Sequence, residues 1–291
     1  MSRYDVLYIL IIKSLEAIPY KGLFYIGKVL ALLLNTLPNK HKRISKANLE
    51  LVFPHKTSLQ INSILRDSLF HSIMNILEAG LVWGKQGYKK KPGFINIKNF
   101  SEIETALSSD KGVLLFTPHI GNIEIIINFL GQHTNCTVPY TQPKNKALDK
   151  VITNSRNKSG VKMVDTSISG IKEMLSALKN KKLVAVASDQ VPKKGGGIIS
   201  KFFNNEIYSM TLLPKLQQRT GCIAYLMYCE RKEKGEGFVI HFDRKIDLSS
   251  NIQEGVDKMN CEFEKCIMKL PGQYSWEYKK FKRTKLDSIY K

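Results

Sequence analysis

Val113-Leu114-Leu115-Phe116, followed directly by Thr117-Pro118-His119-Ile120-Gly121-Asn122-Ile123-Glu124, joins an apolar run to a polar turn. The apolar run reads as a buried strand, so His119 stands at a strand's carboxyl end. On one continuous helix, side chains five residues apart point roughly 140° from each other at ~3.6 residues per turn, and His119 and Glu124 could not meet. A turn must intervene. Gly121 can take the required backbone angles, Asn122 can cap the following helix, and Glu124 then falls in the first helical turn, where negative charge is favoured.

Outward from this segment, short β-type runs alternate with helical periods: Gly112 to Thr117, 123–131, Cys136 to Tyr140, Ile168 to Leu178, Leu183 to Ser188. The alternation predicts an α/β fold with a central, mainly parallel sheet flanked by helices. In such sheets the ligand crevice lies outside the carboxyl ends of the strands. Later, Ile223 to Cys229 and Phe238 to Phe242, joined through Lys234-Gly235-Glu236-Gly237, read as a hairpin, and Val256, Met259, Phe263 and Leu270 mark a last helix. Upstream, Thr57-Ser58-Leu59-Gln60 has capping-box spacing and opens a helix of about five turns through Ile61, Leu65, Leu69, Ile73 and Ile76. Lys89-Lys90-Lys91-Pro92-Gly93 then reads as an exposed loop.

The N-terminus carries two apolar segments, Val6 to Ile12 and Val29 to Leu37, split at Pro19 and interrupted by Lys13, Glu16, Lys21 and Lys28. No uncharged stretch reaches the ~18–20 residues of an ordinary transmembrane helix, and no small-residue cleavage site follows a compact apolar core. Cationic stems that can snorkel, followed by Lys40-His41-Lys42-Arg43, fit a peripheral or monotopic anchor; the alternative is a core helix pair with solvated lysines. The expected division is a membrane-associated helical segment over 1–45 and a second domain over 46–291.

Lys and Arg number 45 against 25 Asp and Glu, a formal charge of +20 that attracts polyanions such as anionic lipid headgroups, acidic proteins or nucleic acid. Zinc-finger spacing, aromatic RNA-binding signatures and basic-region heptads are missing, so a nucleic-acid partner is not expected. Hydrophobic residues at 43% are enough for a sizeable core. Cys136, Cys222, Cys229, Cys261 and Cys266 are scattered with no Cys-x-x-Cys pair, which predicts buried free thiols and neither a disulfide framework nor a metal site.

A carboxylate bonded to one imidazole nitrogen fixes the tautomer and makes the other nitrogen a better base, so His119 with Glu124 can deprotonate a hydroxyl. The bland alternative is a loop histidine satisfying backbone groups. Arg156, before Asn157-Lys158-Ser159-Gly160, can bind phosphate or carboxylate through both arms, or be a solvated helix-end charge. Asp189-Gln190 ends the second buried strand and can position a substrate or Arg156, or merely form a turn. Pro192-Lys193-Lys194-Gly195-Gly196-Gly197 fits neither a P-loop nor a dinucleotide fingerprint and reads as flexible. Thr211 precedes Leu212-Leu213-Pro214 and reads as a helix cap. No cofactor signature is present.

Taken in order, these motifs resemble the lipid A biosynthesis acyltransferases, the lauroyl and myristoyl transferases of Gram-negative bacteria. The resemblance runs from Lys46-Ala47-Asn48-Leu49-Glu50-Leu51-Val52-Phe53-Pro54 through Glu78, His119 to Glu124, Asn154-Ser155-Arg156 with Gly160, Ser188-Asp189-Gln190, Phe202-Phe203, Thr211, Thr220-Gly221 and Gln273-Tyr274-Ser275-Trp276. Two departures stand out: Ile120 and Ile123 where the family usually has aromatic residues, and Phe203-Asn204 where it has Phe-Gly. They bear on acyl-chain preference more than on the reaction.

The resemblance implies a glycerolipid-acyltransferase-like fold behind an N-terminal anchor. It also implies transfer of a fatty acyl chain from acyl carrier protein to a hydroxyl of a Kdo-bearing lipid A precursor, at the cytoplasmic face of the inner membrane with its anionic lipids. His119 and Glu124 would be catalytic, and Asn122, Arg156, Asp189, Gln190 and Thr211 would bind substrate. A thioester is already activated, so no covalent enzyme intermediate is required. Two other readings use the same residues differently: acylation of another membrane lipid, a glycerophospholipid or a glycolipid, and a non-catalytic basic protein that binds membranes through charge.

Overall fold

The chain begins with two helices, α1 (Arg3–Ala17) and α2 (Tyr20–Thr36), and the computed structural model of the protein describes residues 3–84 and 93–291. The break falls at Pro19, as expected, and bends the pair by 117°. Among the described residues, no single helix is long and apolar enough to cross a membrane. One side of α2 buries Tyr20, Leu23, Phe24 and Ala31, while Val29, Leu32 and Leu33 stay more than half exposed. Next come α3 (Lys40–Val52), α4 (Ser58–Leu77) and the short α5 (Ala79–Trp83). The capping box at α4 is real: Thr57 Oγ1 accepts from Gln60 N at 3.3 Å and Gln60 Oε1 from Thr57 N at 2.9 Å. The basic loop expected at Lys89 to Pro92 lies outside the described residues.

An α/β alternation follows: β1 (Ile95–Lys98), α6 (Phe100–Leu107), β2 (Val113–Thr117), α7 (Ile123–His133), β3 (Cys136–Pro139), α8 (Lys146–Ser159), β4 (Lys162–Val164), α9 (Ile168–Lys179) and β5 (Leu183–Ala187). Then come β6 (Gly197–Phe202), β7 (Asn205–Met210), α10 (Leu212–Thr220), β8 (Ile223–Arg231), β9 (Phe238–Ile246) and α11 (Ile252–Lys269). Seven strands form one sheet in the order β1-β9-β8-β2-β5-β3-β4, parallel at every pairing except β8 with β9. β2 is buried along its whole length. Its Leu114 and Phe116 enter the core layer built with α9, α10 and α11, and its Val113 and Leu115 the layer built with α2, α6 and α7.

The hairpin expected near the C-terminus is β8 and β9, each longer than the apolar runs that announce it. A second hairpin, β6 with β7, follows the glycine-rich stretch read as flexible, in a segment for which the sequence predicts no element. Its two-residue turn is Phe203 and Asn204 at φ 47° and 61°, the backbone that lets a tight turn follow the twist of its strands.

A buried polar network inside the fold joins α4, β8 and the turn after β2. Glu78, directly after α4, and Arg231, the last residue of β8, are ion-paired with neither side chain exposed: Nε to Oε1 at 2.6 Å and Nη2 to Oε2 at 2.7 Å. Tyr20 Oη and Asn122 Nδ2 each donate to the carboxylate at 2.7 Å. The guanidinium also reaches His71 Nδ1 at 2.6 Å and Asn75 Oδ1 at 2.7 Å. Burial alone would depress the arginine, but Glu78 raises it, whereas burial and the same Arg231 charge hold His71 well below the ordinary histidine value. Glu78→Ala leaves a buried guanidinium without its counter-charge, so urea unfolding should register a loss of about 3–5 kcal/mol. Glu78→Met with Arg231→Met should recover part of that loss; a single-variant loss below about 1 kcal/mol would contradict the role given to the pair.

Candidate active site

Thr117 closes β2, and the chain leaves the sheet through Pro118 and His119. The C-terminal segment fixes this turn: Ser275 N donates to His119 O at 3.1 Å and Gly121 N to Gln273 O at 3.0 Å. Gly121 has φ 61°, and a Cβ there would come within 2.1 Å of Cys229 O, so no other residue fits unstrained. Asn122 then caps α7, its side chain accepting from Glu124 N at 3.0 Å. Thus far the local structure matches the expectation.

The partner of the His119 ring differs from it. β2 and β5 run parallel with Thr117 beside Ala187, so two residues further along each chain His119 meets Asp189. Asp189 Oδ1 lies 2.5 Å from His119 Nδ1, and Oδ2 accepts from His119 N at 3.1 Å. Asp189 is 4% exposed, and the His119 side chain keeps 24%. Burial disfavours the imidazolium, but the charge and hydrogen bond of Asp189 outweigh it and raise the His119 pKa above 6.5. Burial likewise opposes the Asp189 carboxylate, yet His119 and Lys280 bring it down to about 2. Nδ1 being committed to Asp189, Nε2 is the ring's other nitrogen, and the Gln190 amide donates to it at 3.3 Å.

Glu124, expected on the imidazole, faces the other way. The cap at Asn122 turns the first turn of α7 toward α5 and α8, where Arg156 donates to both Glu124 oxygens, through Nη2 and through Nε at 3.3 Å, and Trp83 Nε1 adds a third bond at 3.1 Å. Arg156, expected to hold phosphate, is 7% exposed, is engaged by this carboxylate and lies with its guanidinium 4.9 Å from the Tyr140 ring centre. Asn122, expected to touch substrate, is buried and divided between its cap and Glu78. Thr211 makes no side-chain cap; its Oγ1 donates to Gly196 O at 3.2 Å and tethers the glycine-rich stretch. Gln190 is exposed beside His119. Of the cysteines, Cys261 is exposed rather than buried, and the others are buried and free.

Sequence reasoning misses Lys280. Its buried ammonium donates to the backbone carbonyl of Asp189, and burial lowers it to about 8 against the pull of Asp189. It is held there by Asn48, whose Nδ2 donates to Trp276 O at 2.6 Å and Tyr278 O at 2.9 Å. In sequence, nothing separates Lys280 from its exposed-looking neighbours Lys279 and Lys282.

A cleft of about 520 Å³ opens in front of this constellation. His119, Arg156 and Gln190 stand on its wall, and much of the rest is apolar, including Ile123, Ile126 and Ile127 from α7 with Val138, Met174 and Met210. Among the described residues, no three His, Cys, Asp or Glu side chains are grouped so as to hold a metal ion. The arrangement therefore offers a carboxylate-supported imidazole beside a largely apolar cleft.

Comparison with known proteins gives a consistent result. Residues 1–283 match the family model described as bacterial lipid A biosynthesis acyltransferase. The chain is 22% identical over 267 residues to the lipid A biosynthesis palmitoleoyltransferase of Escherichia coli, covering 91% of this chain and 86% of the relative. It is 25% identical over 282 residues to a lipid A biosynthesis acyltransferase of Haemophilus influenzae, covering 93% and 87%. Against the lipid A biosynthesis lauroyltransferase of Escherichia coli it is 23% identical over 273 residues, covering 91% and 87%.

The geometry makes one direct demand on solution behaviour. In Asp189→Asn the raising influence on His119 is removed while burial remains, so the imidazole should titrate below its wild-type value, as read by NMR of the ring protons. An unchanged titration would mean that Asp189 is not the controlling partner.

Proposed function

Since the chain belongs to the bacterial lipid A biosynthesis acyltransferase family and is an O-acyltransferase, we propose that His119, paired with Asp189, is the general base that activates the acceptor hydroxyl. The observation that carries this is the 2.5 Å contact between His119 Nδ1 and Asp189, which leaves Nε2 as the nitrogen available at an apolar cleft. The acyl donor is acyl carrier protein, and the acceptor is a hydroxyl of a Kdo-bearing lipid A precursor. Residues 1–45 lie on the cytoplasmic face of the inner membrane, where the surplus of Lys and Arg meets anionic lipids, and 46–291 form the catalytic domain.

In the reaction, Nε2 takes the hydroxyl proton as the oxygen attacks the thioester carbon. The tetrahedral intermediate collapses with cleavage of the carbon–sulfur bond, and the imidazolium returns the proton to the departing thiolate. The products are an ester and the free carrier thiol. Asp189 holds the ring in one tautomer and stabilises the imidazolium while it exists. Arg156 and Lys193 are cations on the cleft wall, and Arg156, held by Glu124, which Trp83 also binds, is the one assigned to the developing oxyanion. The apolar wall from α7 receives the acyl chain, with Ile123 on the surface that this chain has in place of an aromatic residue.

Labelled acyl transfer from acyl carrier protein to a Kdo-lipid A precursor tests the proposal. His119→Ala should lower the rate by about 10²–10⁴, the usual contribution of a positioned general base. Because the base must be neutral, kcat/KM should climb as pH rises through the His119 ionisation, which lies above 6.5. In Asp189→Asn that climb should move to lower pH, while Glu124→Gln should lower the rate and leave its position unchanged, acting through Arg156. Activity of His119→Ala within about tenfold of wild type would reject the assignment. Turnover only with a glycerophospholipid or glycolipid acceptor would keep the base and change the substrate.

A further inference from the structure

A second cavity, of about 650 Å³, shares no lining residue with the His119 cleft. It lies between α2, α4, the turn joining β8 to β9, and the end of α11. Its wall carries the cationic side chains of Lys28, Arg66, Arg231, Lys232, Lys234 and Lys269 against the carboxylates of Asp67 and Glu233; with Arg231 matched by Glu78 and Lys269 3.7 Å from Asp243, an excess of two positive charges remains around one hollow. Burial raises the Asp67 carboxyl, with Arg66 opposing, which makes that carboxylate the weaker counterweight. His71 adds a neutral donor: its Nδ1 faces Arg231 at 2.6 Å, so the ring hydrogen sits on Nε2.

One edge of the cavity continues onto the uncovered side of α2. Leu32 both lines the cavity and is 64% exposed, with Val29 and Leu33 beside it at 60% and 54%. An apolar row of this kind bordering a cationic hollow has the chemistry of a helix lying in the membrane interface. We infer that the cavity binds the phosphate-bearing headgroup of an anionic bilayer phospholipid, one with net negative charge, whose acyl chains run along the exposed side of α2. This rests on α2 lying on the membrane, as proposed above. A carrier-protein prosthetic group fits less well, because a chain entering here would not share a single wall residue with the cleft that holds His119.

Co-sedimentation of the full chain with vesicles tests the site, using phosphatidylcholine alone or phosphatidylcholine doped with phosphatidic acid. A triple variant, Lys28→Ser, Arg66→Ser and Lys234→Ser, removes three exposed cavity cations; a control, Lys172→Ser, Lys179→Ser and Lys215→Ser, removes three exposed cations from α9 and α10. The cavity triple should bind the doped vesicles about tenfold or more weakly, bind pure phosphatidylcholine as wild type does, and keep acyl transfer to a detergent-dispersed acceptor. The control triple should stay within about threefold of wild type on both. Equal losses in the two triples would mean diffuse charge and no site. Inorganic phosphate, or acyl carrier protein without vesicles, bound by wild type and lost in the cavity triple would give the hollow a soluble occupant and overturn the lipid assignment.

Discussion

The ion pair of Glu78 with Arg231 is the constraint on which the rest of the structure depends, because four separated parts of the chain end on it. Tyr20 brings in the second helix, Glu78 the end of the fourth, Arg231 the end of a central strand and Asn122 the cap of the helix behind His119. Gln273 binds the backbone of Arg231 with both ends of its amide and the turn at Gly121 with its own carbonyl. A buried charge pair is weak evidence for extra stability, since desolvation opposes the attraction. Its geometry is nonetheless demanding, and that demand sets where the turn carrying His119 can lie.

Two acidic residues near one histidine take different roles here because of backbone direction. Asp189 arrives from a neighbouring parallel strand at the same height as His119 and takes its Nδ1. Glu124 follows a glycine turn that points it across α7 toward an arginine and an indole. Each carboxylate is saturated by its own partners. The imidazole and the guanidinium therefore line the same cleft without competing for a counter-ion.

Local order was largely legible in the sequence. The strand before His119, the turn at Gly121, the cap at Asn122, the capping box at Thr57 and the strand–helix alternation are encoded within a few residues each. The long-range pairings were not. Asp189 could be placed at a strand end, but its contact with His119 depends on the register of two strands whose site residues stand 70 positions apart. Glu78 is marked in sequence only as one position of the family resemblance and Lys280 not at all, and only the tertiary packing buries them. The hairpin of β6 and β7 was hidden because its turn uses Phe203 at positive φ where a glycine would have announced it.

The shared register of β2 and β5 has an evolutionary consequence. His119 and Asp189 are set opposite each other by a ladder of backbone hydrogen bonds, which is indifferent to side-chain identity. The chain that runs between them supplies much of the cleft wall, including Ile126, Val138 and Met174. Substitutions in that interval can reshape the cleft while the pair of His119 and Asp189 stays in place. A single scaffold of this kind can therefore diversify in the shape of its cleft by drift in the walls, with the histidine–aspartate pair inherited unchanged.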